Sequence, residues 1–186
     1  MKAFPLIRAL FCLVLIFSAS LSADDGNLEY KVKAGYLYNF TKFVTWPEIT
    51  GATFNLCILG TDPFGAVIDP IEKKSAFDKP IKVIRLDEAI FLSGRDVKIH
   101  CRILYISHSS NPKTAFEKLK IGSHATGMLI VGEGDEFVAG GGMIGFVNRD
   151  GKIKLQVNLQ SVRQTELKIS AKLLEIAELV KGGIHD

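Results

Sequence analysis

The sequence predicts an α/β fold. A single domain is built on a mostly parallel central sheet of about six strands, with an antiparallel hairpin at one edge and helices on both faces. Three observations lead there. Four short apolar runs bounded by turn residues, 54–60 (FNLCILG), 81–85 (IKVIR), 101–107 (CRILYIS) and 127–131 (GMLIV), have the length and composition of strands. Helical stretches separate them, which is the pattern of parallel strands joined by crossovers. Two alternating runs, 143–149 and 152–159, flank Asp150-Gly151, a strong hairpin signal.

The elements follow in chain order. Residues 1–23 (MKAFPLIRALFCLVLIFSASLSA) begin with Lys2 and Arg8, continue through an apolar run over 9–17 and end in small residues. This is the layout of a secretory signal peptide, and its apolar run is too short to span a bilayer. Cleavage near Ala23 leaves 24–186 as one exported domain. The full chain of 186 residues carries 23 Lys+Arg against 20 Asp+Glu, a net +3. Removing the leader leaves 21 against 20, so the mature chain is nearly neutral. That balance gives no basis for nucleic-acid binding, and 47% hydrophobic residues exclude general disorder.

Residues 28–45 read as a helix with Leu28, Val32, Tyr36, Phe40, Phe43 and Val44 as its apolar stripe. Lys31, Lys33, Tyr38 and Lys42 fall off that stripe, and Pro47 ends the helix. Further helical stretches are expected after Pro63, over 86–92, and over 112–121 with Asn111 as cap. In the hairpin, Ile153, Leu155, Val157 and Leu159 form the core face, and Lys152, Lys154, Gln156 and Asn158 the wet face. Ser161 and Gln164 have capping-box spacing for a short helix. Ser170 caps a last helix whose apolar face is Leu173, Leu174, Ile176, Ala177 and Val180, stopped by Gly182-Gly183.

Export governs the cysteines. Cys12 leaves with the leader, so Cys57 and Cys101 are expected to form a disulfide. Its Cα atoms must lie within about 7 Å, so the first and third apolar runs should be neighbours, in the order 2-1-3-4.

No motif supports catalysis or a cofactor. GEGDEFVAGGGMIG (132–145) has Phe137 where a dinucleotide loop needs its third glycine, and no Walker Lys-Ser/Thr follows. The glycines suit tight turns or a bulge. His100, His108, His124 and His185 show no zinc-type spacing, and no G-x-S-x-G elbow is present. The expected protein is not an enzyme and holds neither metal nor cofactor. Tyr38 and Trp46, off the apolar stripe, are candidates for a ligand pocket or protein interface. Leu173, Leu174 and Ile176 on the last helix form a second candidate surface. A small ligand would sit at the strand ends, near 60–62 and 107–109.

Taken together, KVKAGYLYNFTKFVTWP, FNLCILGTDPFG, CRILYIS, GGMIGFVNRDGKIKLQVNL and LKISAKLLEIA resemble the YfiR-like (HmsC-like) family of bacterial periplasmic proteins. The resemblance covers nearly all of residues 28–181. It implies a periplasmic repressor that binds the periplasmic part of an inner-membrane diguanylate cyclase, lowering cyclic di-GMP and biofilm formation. It also implies self-association as a homodimer. An alternative implied partner is a sensor histidine kinase, with this chain as a small-ligand-binding accessory. Cys57 and Cys101 match one of the two disulfides of the best-known member. The second pair has no counterpart, since residues 131–159 contain no cysteine.

Overall fold

A computed structural model describes residues 23–47, 50–93, 100–107, 110–111, 113–115 and 127–180. All but the last residue of the expected signal peptide over 1–23 and most of the expected helix over 112–121 lie outside these residues, as does Gly182-Gly183. Helix α1 (Ala23–Phe43) runs into the short strand β1 (Val44–Thr45). Strand β2 (Phe54–Leu59) leads through two 3-10 turns, Gly65–Val67 and Asp69–Lys73, to the hairpin of β3 (Ser75–Ala76) and β4 (Lys79–Leu86). Helix α2 (Glu88–Ser93), β5 (Ile103–Ile106), β6 (Leu129–Glu133) and α3 (Asp135–Ala139) follow. The chain continues with β7 (Ile144–Arg149), β8 (Lys152–Asn158) and α4 (Leu159–Arg163). It closes with β9 (Lys168–Ile169), α5 (Ala171–Glu175) and β10 (Ala177–Val180).

The main sheet has eight strands in the order β10-β8-β7-β6-β5-β2-β4-β3, and β1 pairs with β9 in a separate ribbon. Strands β4, β2, β5, β6 and β7 are mutually parallel. The four apolar runs therefore stand in the 2-1-3-4 order that the cysteine pairing demands. Cys57 and Cys101 are bonded with Cα atoms 5.7 Å apart, tying β2 to the segment that enters β5. The Asp150-Gly151 hairpin forms as expected, with both turn residues at positive φ and Asn148 Oδ1 accepting from the Gly151 amide at 2.9 Å.

The sheet has two more strands than the expected six or so, and the β7–β8 hairpin lies one strand in from the edge. The last helix ends at Glu175, and Ala177–Val180 pairs in parallel with β8 instead of extending it. Helical periodicity and a four-residue strand share the same apolar residues there, and pairing with the open edge of β8 decides between them. Ser170 caps α5 as expected, its side chain accepting from the Leu173 amide. The cap of α4, however, is Asn158, which accepts from the Ser161 amide at 3.1 Å, and not Ser161.

Helix α1 is rotated relative to the expected stripe. Its buried residues are Lys33, Ala34, Leu37, Phe40 and Thr41, whereas Leu28 is 60% exposed and Val32 40% exposed. Lys33 is the reason. A sequence pattern counts it as polar, yet its ammonium lies 2.8 Å from Glu133 at the end of β6 and pairs with Glu29 one turn earlier. A lysine so paired can be buried, and the helix face turns to accommodate it. Further along α1, Tyr36 and Phe40 pack on Phe146 of β7, with ring centroids 5.9 and 6.2 Å apart.

Helix α3 covers the opposite face of the hairpin. A methyl group at Gly132 or Gly142 would overlap the Phe137 ring, and one at Gly145 would overlap Val138. The glycine-rich segment thus lets α3 lie against the sheet. Its cover also buries Gln156 and Asn158, expected on a wet face. Gln156 Nε2 donates to Asp135 at 2.8 Å and Asn158 Nδ2 to the Val138 carbonyl at 3.1 Å.

Candidate partner-binding surface

The end of α1 places the first pair of candidate residues. Trp46 is buried, donates from Nε1 to the Arg102 carbonyl at 3.1 Å and packs edge-on against Phe54 at 5.2 Å. It belongs to the core. Tyr38, two turns earlier, is half-buried at the surface, with Lys42 Nζ 4.5 Å and Lys74 Nζ 4.9 Å from its ring centroid. Such contacts hold ammonium groups by the ring quadrupole. On the hairpin that follows Lys74 stands an exposed aromatic, Phe77, 45% exposed, which the sequence reading missed. Its ring stacks on Phe54 at 6.0 Å and meets Trp46 edge-on at 5.8 Å. The missed signal is the pair Phe-Asp at a hairpin turn, where Asn-Gly would be ordinary.

The second candidate surface is divided. Leu173 is buried, Leu174 is partly buried, and Ile176 is 59% exposed, beside Leu179 at 53% on β10. The β1–β9 ribbon sets Val44 opposite Ile169, and the Ser170 amide donates to the Phe43 carbonyl at 2.8 Å. The end of α1 and the start of α5 are therefore tied together. Ile176 and Leu179 flank the β10 edge of the sheet, and Phe77 lies beside the β3 edge at the other end.

At the strand ends proposed for a small ligand, the side chain of Asp62 is engaged by protein groups. Asp62 accepts from the Phe64 amide and from Arg85 Nε, both at 2.7 Å. Phe64 packs edge-on against Tyr105 at 4.9 Å and Tyr30 at 5.3 Å. Residues 108–109 lie outside the described residues. Beside this trio the Tyr105 hydroxyl donates to Glu133, the same carboxylate that holds Lys33. Burial, then the Glu133 charge, pushes the Tyr105 phenol well above its ordinary value. Burial alone would lower the Lys33 ammonium, but the hydrogen bonds to Glu133 and Glu29 outweigh it and leave the group raised. Both groups stay protonated at neutral pH, so neither serves as a general base. Among the described residues no group of three or more His, Cys, Asp or Glu side chains is placed to hold a metal ion.

These features define a disulfide-stapled α/β domain with a mixed eight-stranded sheet, in which Lys33, Glu133 and Tyr105 engage one another. The chain belongs to the YfiR/HmsC-like family, whose profile matches residues 30–178. That match runs from the buried face of α1 to β10 and includes both candidate surfaces. No curated protein matches the chain. No helix among the described residues is long and apolar enough to cross a membrane.

Proposed function

We propose that this protein is a non-enzymatic periplasmic regulator that binds the periplasmic part of an inner-membrane diguanylate cyclase and holds it inactive. Membership of the YfiR/HmsC-like family over residues 30–178 carries this reading. The Cys57–Cys101 disulfide supports an oxidising compartment. Repression follows from preferential binding to the inactive cyclase conformation. Turning an equilibrium from 99:1 active to 1:99 needs a difference in binding free energy of about 5.5 kcal/mol between the two states. Two or three anchor contacts made in only one of the two conformations reach that figure, because truncating a single interface anchor costs roughly 2–4 kcal/mol.

Spheroplasts test this reading, because they expose the outer face of the inner membrane. Purified residues 24–186 added to spheroplasts of a strain lacking the gene should lower cyclic di-GMP synthesis in a saturable manner. Unchanged synthesis at saturating protein would refute it.

A further inference from the structure

We propose that Phe77, Tyr38, Lys42 and Lys74 form a docking site for an acidic segment of a partner protein. This deepens the regulatory reading and rests on its premise that the chain works by binding another protein.

The hairpin turn gives the first argument. Phe77 and Asp78 have φ of 52° and 59°, the left-handed region that glycine and asparagine occupy with least strain. A large apolar residue there is an outlier, and strain retained at an exposed position points to function. The Phe77 ring is nevertheless fixed, stacked on Phe54 and edge-on to Trp46. A ring already held in place loses little freedom on binding, the property of a good interface anchor.

Charge selects the occupant. Lys42 and Lys74 converge on the Tyr38 ring, and no carboxylate among the described residues is paired with either. Lys73 adjoins them, and Lys79 reaches the Gly51 carbonyl at 2.5 Å. Among the described acids around this hairpin, Glu72 is engaged by the Val83 amide at 2.9 Å, and Asp78 stands in the turn. The nearly neutral mature chain thus gathers two cations on the half-buried Tyr38 ring, and one of them, Lys74, stands three residues before the exposed Phe77 of the hairpin. A protein segment with acids flanking an apolar side chain complements this surface. A bilayer does so poorly, because Phe77 lies against the body of the protein and not outward as a wedge.

Benzoylphenylalanine placed at position 77 of the exported chain tests the site by photocrosslinking in living cells, with the same probe at the remote, exposed Ile90 as control. The expected result is one protein adduct from position 77, absent from position 90, and reduced at least tenfold by Lys42→Glu with Lys74→Glu. No adduct, an adduct shared with position 90, or one indifferent to charge reversal overturns the site. Sedimentation with phosphatidylglycerol vesicles, lost in Phe77→Asn, would overturn it in favour of a membrane surface. Phe77→Asn removes the ring while suiting the turn, so it should melt within a few degrees of wild type yet fail to restore repression in a gene-deleted strain. If that variant restores repression, the site is wrong and the regulatory reading stands. If deletion leaves cyclic di-GMP unchanged while the charge-dependent adduct persists, the site stands and the cyclase is not the target.

Discussion

Lys33 is 1% exposed and held by two carboxylates, so its removal takes a partner from both Glu133 and Glu29. Breaking a buried pair from one side costs about 3 kcal/mol or more. Lys33→Met should therefore lower the urea-unfolding free energy by roughly that amount, and adding Glu133→Gln should recover part of it. The raised Lys33 pKa sets the pH window. Its stabilisation is fully present below the unfolded lysine value of about 10.4 and is lost as pH rises through the higher folded value. Urea midpoints of wild type and Lys33→Met should converge in that alkaline range. Asp135 behaves in the opposite sense. Hydrogen bonds from Arg149, then Gln156, hold its carboxyl down at about 2. Its contribution is present above the ordinary value of about 3.8–3.9 and disappears as pH falls toward 2. Asp135→Asn should flatten the stability profile across that acid window.

At the scale of the element, α3 depends on three glycines for its approach to the sheet. Gly142→Ala should destabilise by about 1–3 kcal/mol, as overpacking does, because the Phe137 ring must shift; thermal melting checks this. The disulfide joins β2 to the entry of β5 across a separation of 44 residues. Its loss in Cys57→Ser with Cys101→Ser should cost about 4 kcal/mol on the chain-entropy account, measured by urea unfolding. The parallel strands β2, β5 and β6 were legible as short, continuous apolar runs buried on both faces, and β4 by its alternation. The β7–β8 turn was legible because Asp-Gly suits two left-handed residues in succession. Three features were not. The rotation of α1 turns on a lysine that only its tertiary partners make buriable. Gln156 and Asn158 look wet until α3 covers them. Strand β10 is too short for its alternation to stand apart from the helix before it.

Across the whole molecule, the sheet is a continuous frame whose two ends carry three of the exposed apolar side chains: Phe77 by β3, and Ile176 with Leu179 by β10. Part of the candidate surface was readable in advance. Tyr38 stood off the apolar stripe and lies at the surface. Trp46 also stood off it, but α1 ends before it and the chain turns its ring into the core, so Phe77 takes the exposed place above it. No sequence period marks Phe77, since its position is set by a turn. Of the last segment, Ile176 is displayed and Leu173 is buried, because a break between α5 and β10 replaces one continuous helix. The family assignment spans both ends and supports a regulator acting through its surface. The most direct measurement of that claim is intracellular cyclic di-GMP in a strain lacking the gene, complemented by the chain with or without residues 1–23. The account predicts a rise on deletion, reversal by the exported chain and no reversal by the chain without its leader. Cyclic di-GMP unaltered by deletion, or restored by the leaderless chain, would contradict it.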